Sequence, residues 1–147
     1  MSSTADPRLP STRRRVLCLA AAAACAPLAS RAQSDPHPQR RWYERAEAMR
    51  QAAIASGDQP YGAVLVAPDG TAVESPSRVV KDSDPDAHSE RVAIREARRL
   101  LGEAKVAGAV LYSTSRPCRL CEQAAARAGV RRMYFGAQME DAGAPRG

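Results

Sequence analysis

Four residues of this 147-residue chain have the types and spacing of a zinc site beside a carboxylate. His88 and Glu90 are separated by one residue, and Cys118 and Cys121 form a C-x-x-C pair further along the chain. Thiolate and imidazole are preferred zinc ligands, and a catalytic zinc site uses three protein ligands and leaves one position for water. Residues 33–147 offer no third cysteine and no other convincing histidine as a fourth ligand. The pattern therefore favours a hydrolytic zinc over a structural one.

The four residues also lie at the predicted starts of two helices. Cys118 and Cys121 share one face of a first helical turn, where the helix dipole favours the thiolate form. Glu90 would lie near the metal without binding it, and a carboxylate there can move a proton from the metal's water to a leaving amine. Alternatives remain open: a disulfide, a redox pair or inert thiols for the cysteines, a buried core histidine for His88, and a solvated carboxylate for Glu90.

The segments that must position these residues alternate between strand and helix patterns. The run YGAVLVA, 61–67, is almost continuously apolar and predicts a buried strand. Pro76 fits only an edge position of the strand that follows. The predicted helices are 41–56, 88–101 and 118–129, the predicted strands are 61–67, Thr71 onward, 106–114 and 130–136, and 77–87 is a loop. In the second helix the predicted inward face consists of Val92, Ala93, Ala97 and Leu100.

This order of segments predicts the α/β class. A strand, a helix and a strand of these lengths form a right-handed βαβ unit with parallel strands. We therefore expect a three-layer α/β/α sandwich, with a central mixed sheet and helices on both faces. Aromatic residues make up only 4% of the chain, so its core must consist mainly of Ala, Val, Leu and Ile.

The metal-site residues occur within motifs that resemble a known family. H-S-E followed by P-C-R-L-C is similar to the H-x-E and P-C-x-x-C signature of the zinc-dependent cytidine deaminase superfamily. YGAVLV, DPDAHSE, AIREA, LYSTSRPCRLC and RRMYFGA resemble its guanine deaminase and tRNA adenosine deaminase branch. The resemblance implies a cytidine deaminase-like fold in which His88, Cys118 and Cys121 bind Zn²⁺ and Glu90 shuttles protons. It implies hydrolytic deamination of a nucleobase or nucleoside, with a guanine-type purine favoured.

The same resemblance identifies candidate substrate contacts and three departures from the usual pattern. Ser89 stands where the family usually has Ala, and Arg116 stands where it usually has Glu. Ser77 stands where branch members carry an Asn that hydrogen-bonds the base. The stretch that begins at Tyr61 could line the pocket, although plain strand packing would explain it almost equally well. The candidate substrate-binding residues are Ser77, Gly62, Ala63, Ser89 and Pro117.

The N-terminal segment predicts export. Residues 1–32 contain an arginine cluster at 13–15, an apolar run over 16–26 and small residues before a cleavage site, as in a twin-arginine signal peptide. The apolar run is shorter than the roughly 20 residues of a membrane span, so an anchor is the weaker interpretation. We expect the twin-arginine machinery as a partner and the periplasm as the destination. Residues 33–40 would then be a linker, and 41–147 a deaminase domain with a short C-terminus.

The charge of the chain does not favour nucleic acid as a partner. Five of the 22 basic residues and one of the 16 acidic residues lie in residues 1–32. The formal charge is therefore +2 for residues 33–147, compared with +6 for the whole chain. The leading hypothesis is therefore a small-molecule deaminase, and a homodimer is expected from the resemblance alone. The alternatives are a catalytically degenerate deaminase fold that binds zinc or a partner protein, and a periplasmic thiol–disulfide protein.

Overall fold

The computed structural model describes residues 38–147 as alternating helices and strands. The signal peptide and most of the linker predicted for residues 1–40 lie outside the described residues, and Arg40 already belongs to the first helix. Within the described part of the chain, no helix is long and apolar enough to cross a membrane. The elements are α1 (Arg40–Ala55), β1 (Gly62–Val66), β2 (Ala72–Pro76), α2 (Ser89–Leu101), α3 (Glu103–Val106), β3 (Val110–Ser113), α4 (Arg119–Arg127), β4 (Arg132–Phe135) and β5 (Glu140–Gly143).

The strands form one mixed sheet in the order β2-β1-β3-β4-β5. β1 is antiparallel to both β2 and β3, and β5 is antiparallel to β4. β3 and β4 are parallel and are joined through α4, as the predicted βαβ unit requires. β2 is an edge strand, which is the position that Pro76 permits because proline has no N–H to donate to a further strand.

Helices cover both faces of this sheet, which confirms the three-layer arrangement. Val64 and Val66 point to one face and pack with Ala46 of α1. Leu65 points to the opposite face because successive strand residues alternate, and it packs in a second cluster with residues of α2 and α4. Since β1 is buried on both faces, its sequence is a continuous apolar run rather than an alternating one. Truncating Leu65 to Ala would cost roughly 2–5 kcal/mol.

A glycine at the start of β1 allows α1 to lie directly on the sheet. A Cβ atom at Gly62 would lie 2.1 Å from the backbone oxygen of Ala46 and 2.4 Å from the backbone nitrogen of Arg50. No side chain fits this space, so residue 62 must be glycine for α1 to pack as it does. The close backbone approach that the sequence suggests at Gly62 is therefore made by α1.

The structure differs from the sequence prediction at three places. Leu100 is 57% exposed, so its predicted place on the inward face of α2 is wrong, and Leu101 packs against the core instead. Helical spacing identifies the face of a helix, but the packing of its last turn decides which of two leucines is covered. The short helix α3 and the strand β5 were not predicted. The β5 sequence EDAG has no apolar run and becomes a strand by pairing with β4.

Candidate active site

Two metal-ligand candidates lie at the residue just before a helix. His88 precedes α2 and Cys118 precedes α4, and both have extended backbone torsions. Their carbonyl oxygens accept the first helical hydrogen bonds, from Val92 N at 2.9 Å and from Glu122 N at 2.9 Å. An N-cap residue has its backbone fixed by the helix that follows it. The start of each helix therefore fixes the backbone from which one ligand side chain projects.

The three candidate ligands converge on one point. His88 Nδ1 lies 3.5 Å from Cys121 Sγ and 3.7 Å from Cys118 Sγ, and the two sulfur atoms are 3.4 Å apart. In tetrahedral coordination with Zn–S near 2.3 Å and Zn–N near 2.0–2.1 Å, these separations would be about 3.5–3.8 Å. The donor set and its geometry thus fit zinc with one position left open. Both cysteines are free thiols, so the alternative disulfide is not what the structure contains.

Burial changes the acidity of Cys121. This thiol is fully buried, and burial together with the nearby charge of Glu90 raises its pKa well above the ordinary value. A thiol must lose its proton to bind zinc, so metal binding at this position has to displace that proton.

Glu90 lies beside the ligands in the first turn of α2. It is 4% exposed, and burial raises the pKa of its carboxyl above the ordinary value. The hydroxyl of Ser89 donates a hydrogen bond to Glu90 Oε2 at 3.1 Å. A carboxyl with a raised pKa is suited to exchanging a proton near neutral pH. Glu90 is therefore a buried carboxyl rather than a solvated helix carboxylate, and its role in proton transfer stays a prediction.

A cavity of about 470 Å³ opens over the metal ligands. This size falls within the range of roughly 300–1,000 Å³ found for small-molecule sites. A larger cavity of about 510 Å³ lies elsewhere, between α2 and α4, and contains none of the candidate metal ligands. Catalytic chemistry is therefore assigned to the smaller one. Its lining residues are Gln59, Tyr61, His88, Glu90, Ser115, Arg116 and Cys118.

None of the five candidate substrate-binding residues lines this cavity. Ala63, Ser89 and Pro117 are buried, and Gly62 packs against α1. Tyr61, the residue before Gly62, does line the cavity, and 41% of its surface is exposed. Direct contact of the other residues with a substrate remains a prediction. Sequence reasoning missed Gln59 and Ser115, because each belongs to a loop without a recognisable motif.

Ser77 is held by an aspartate that no sequence pattern singles out. Ser77 is 2% exposed, and its hydroxyl donates a hydrogen bond to Asp58 Oδ1 at 2.8 Å. The other carboxylate oxygen of Asp58 accepts from Val80 N at 3.1 Å and Lys81 N at 2.9 Å. Burial raises the pKa of Asp58, but these hydrogen bonds and one from Gln59 N outweigh it, so the pKa lies below the ordinary value.

The Asp58 hydrogen bonds fix the loop that leads to His88. Arg78 N donates to Ala87 O at 3.0 Å and closes the loop directly before His88. We call residues 77–87, held in this way, the Asp58-bound loop. Asp58 is hydrogen-bonded to none of the metal-ligand candidates; it is connected to the site through this loop and through Gln59, a cavity-lining residue whose N–H donates to Asp58 Oδ1 at 2.7 Å.

The family of the chain follows from comparison with known proteins. Residues 36–137 match the family model of the cytidine and deoxycytidylate deaminase zinc-binding region. The chain belongs to this deaminase family. Its H-x-E and P-C-x-x-C residues are those that the structure brings together around the candidate metal position.

The relatives of the chain within the deaminase family include two kinds of enzyme. The chain is 41% identical over 85 residues to the tRNA-specific adenosine deaminase of Agrobacterium fabrum. This match covers 58% of the chain and 56% of that relative. A solved structure from a study of A-to-I editing by tRNA:A34 deaminases aligns with a TM-score of 0.63 and 35% identity, covering 67% of this chain and 76% of the other. The guanine deaminase of Bacillus subtilis aligns with a TM-score of 0.63 and 30% identity, covering 69% of this chain and 65% of the other.

The chain thus spans little more than half the length of the curated relative from Agrobacterium fabrum. The comparisons establish the family and the fold. Similarity to both kinds of deaminase leaves the choice of base open.

Proposed function

We propose that this protein is a zinc-dependent hydrolase that removes an amino group from a nucleobase or nucleoside, with a guanine-type purine as the first candidate. The observation that carries the proposal is the convergence of His88, Cys118 and Cys121, with His88, Cys118 and the buried carboxyl of Glu90 lining one cavity. A closed structural zinc site would need a fourth protein ligand, and the described residues offer only these three at this point.

His88 Nδ1 and the two cysteine sulfur atoms would hold the metal. Bound zinc supplies a water molecule whose pKa is lowered toward about 7. Glu90 would carry the proton from the attacking water to the departing amine, so that water and the amino compound would give a carbonyl compound and ammonia. The hydrogen bond from Ser89 keeps one carboxylate oxygen of Glu90 in place during this transfer.

The walls of the cavity suit a planar heterocycle. Tyr61 offers a partly exposed aromatic ring, against which a base can stack. Gln59 and Ser115 offer side-chain donors and acceptors for the edge of a base. The similarity to a guanine deaminase supports a free purine, and the similarity to tRNA adenosine deaminases supports adenosine within RNA as the second candidate.

The proposal is tested by ammonia release across a panel of bases and nucleosides, with the zinc-loaded chain and a Glu90→Gln variant. We expect Glu90→Gln to retain zinc and to lose roughly 10²–10⁴-fold in rate, because the variant lacks the proton-transfer group. Glu96→Gln is the matched control, because Glu96 lies on the same helix in an exposed pair with Arg99 and should leave the rate unchanged. A zinc-loaded chain that releases no ammonia from any compound would point instead to a degenerate, zinc-binding member of the family.

Export and dimerisation are further proposals. Residues 1–32 support export through the twin-arginine machinery to the periplasm, where folded tRNA is not an expected substrate. N-terminal sequencing of the chain recovered from the periplasm tests this, and an intact chain that begins at Met1 in the cytoplasm would contradict it. The family resemblance supports a homodimer, which light scattering of the purified chain would detect.

A further inference from the structure

One wall of the active-site cavity carries an arginine without an acidic partner. Arg116 is exposed and lines the cavity with Glu90 and His88. Its guanidinium carbon lies 5.5 Å from the centroid of the Phe135 ring, a cation–π contact that holds the charged group near the rim. Within residues 38–147 no carboxylate pairs with Arg116, whereas other exposed arginines do pair, as Arg132 does with Asp141.

Arg116 is the only arginine or lysine among the residues that line the cavity, so it determines the sign of the charge at the rim. Gln59, Tyr61 and Ser115 have uncharged polar side chains, and Glu90, the one carboxyl among the lining residues, is only 4% exposed. Two cysteine thiolates would neutralise a zinc ion, and the third ligand is an imidazole. The rim is therefore positive, and a ligand with an anionic group outside its reacting base would be favoured there.

The position of Arg116 suits a substituent of the base rather than its reacting atom. Arg116 precedes Cys118 by two residues, so their Cα atoms are at most about 7.6 Å apart. A planar guanidinium presents paired N–H donors that match two oxygens of one phosphate group. From the rim, this guanidinium is placed to contact a phosphate that lies outside the reacting base.

We propose that Arg116 selects substrates whose nucleoside carries a phosphate, so that the site binds a nucleoside phosphate more tightly than the matching nucleoside or free base. This inference rests on the proposed function, which places the base at the metal ligands. The preference for a phosphate depends on Arg116 alone. The phosphate can belong to a mononucleotide or to the backbone of an RNA strand, and the two sources share the chemistry that Arg116 recognises.

The test measures, by calorimetry, the binding of bases and nucleotides to the zinc-loaded chain carrying Glu90→Gln. This variant should not hydrolyse the bound compounds during the measurement. The ligands are guanine, guanosine and guanosine 5′-monophosphate, the corresponding adenine series, and an RNA hairpin with an unpaired adenosine. We expect at least one monophosphate to bind about ten- to hundredfold more tightly than its nucleoside, as for a hydrogen bond between charged groups. Arg116→Ala should abolish this advantage, Arg116→Lys should keep part of it, and Arg116→Glu should reverse it.

A matched control separates Arg116 from general positive charge. Arg119 is also exposed and lies three residues further along, but it lines a neighbouring cavity. Arg119→Ala should therefore keep the phosphate advantage. Tighter binding of the hairpin than of every mononucleotide, lost in Arg116→Ala, would assign the phosphate to RNA.

The outcomes distinguish this inference from the proposed function. Equal binding of nucleoside and monophosphate, or an advantage that survives Arg116→Ala, overturns the role of Arg116 even if the wild-type chain releases ammonia from a free base. An advantage that depends on Arg116 in a chain that releases no ammonia supports the phosphate site and contradicts the deaminase activity.

Discussion

The metal-ligand cluster and the Asp58-bound loop meet at His88 but are built in different ways. In the cluster, His88, Cys118 and Cys121 lie at the starts of two helices, and the fold brings His88 to two cysteines that are 30 and 33 positions away. In the loop, Asp58 accepts hydrogen bonds from residues 19 to 23 positions away. Both regions join residues that are distant in sequence, but the cluster directs three side chains at one metal position, whereas the loop is held by several hydrogen bonds to one carboxylate.

This difference indicates how the two regions should respond to substitution. Each cluster residue would supply one of three bonds to the same metal, so the loss of one ligand removes the function of all three. The carboxylate of Asp58 accepts four hydrogen bonds, three from the loop and one from Gln59 N, and each can be lost separately. Substitutions in the cluster should therefore act in an all-or-none manner, and substitutions in the loop should act by degrees.

The largest effect is expected from Cys121→Ser. A serine hydroxyl is a poor zinc ligand, so the variant should fall from about one zinc per chain to almost none and should lose its ammonia release. Metal analysis by mass spectrometry after dialysis measures this directly. Arg119→Ala is the control, because Arg119 lies between the two cysteines in sequence but is exposed, and this variant should keep its zinc. A Cys121→Ser chain that retains a full complement of zinc would show that the metal lies elsewhere.

An intermediate effect is expected from Asp58→Asn. An amide has only one acceptor oxygen and turns an N–H₂ group toward backbone or hydroxyl donors, so some of the four hydrogen bonds must be lost. We expect the free energy of unfolding to fall by about 2 kcal/mol, as for other buried acceptors of this kind. Urea unfolding followed by circular dichroism measures it. Ser77→Ala removes one of the four hydrogen bonds and should cost about half as much.

The same pair of variants tests the predicted substrate contact of Ser77. A Ser77→Ala chain with unchanged KM and reduced stability would show that Ser77 serves the loop alone. A KM raised beyond that of Asp58→Asn would show that its hydroxyl also contacts the substrate.

The loss of stability caused by Asp58→Asn should depend on pH in a definite direction. Because the pKa of Asp58 is lower in the folded chain than the ordinary value of about 3.9, its carboxylate stabilises the fold above that pH. This contribution is lost as the pH falls through the folded-state pKa. The stability difference between the wild-type chain and Asp58→Asn should therefore be constant at neutral pH and should shrink below about pH 4. A difference that persists unchanged at pH 2 would contradict this origin.

The contrast between the two regions also explains what the sequence could predict. His88, Glu90, Cys118 and Cys121 were identifiable because residue type and short spacing define a metal site. β1 was identifiable because a strand buried on both faces is continuously apolar. Asp58 was not, because nothing in the stretch SGDQP indicates a partner in the loop at 77–87. β5 was missed for a similar reason, since its strand conformation comes from its pairing with β4.

The smallest effect is expected at Ser89, next to His88 in sequence. Its hydroxyl is fully buried and hydrogen-bonds Glu90 Oε2, so Ser89→Ala should remove an orienting contact and leave no unpaired donor behind. If Ser89 orients Glu90, kcat should fall by up to about fivefold with KM unchanged, which corresponds to about 1 kcal/mol. If Ser89 contacts the substrate instead, KM should rise and kcat should stay near the wild-type value. Ser75→Ala is the control, since Ser75 is buried in β2 and donates to Pro76 O, so steady-state kinetics of that variant should match the wild-type chain.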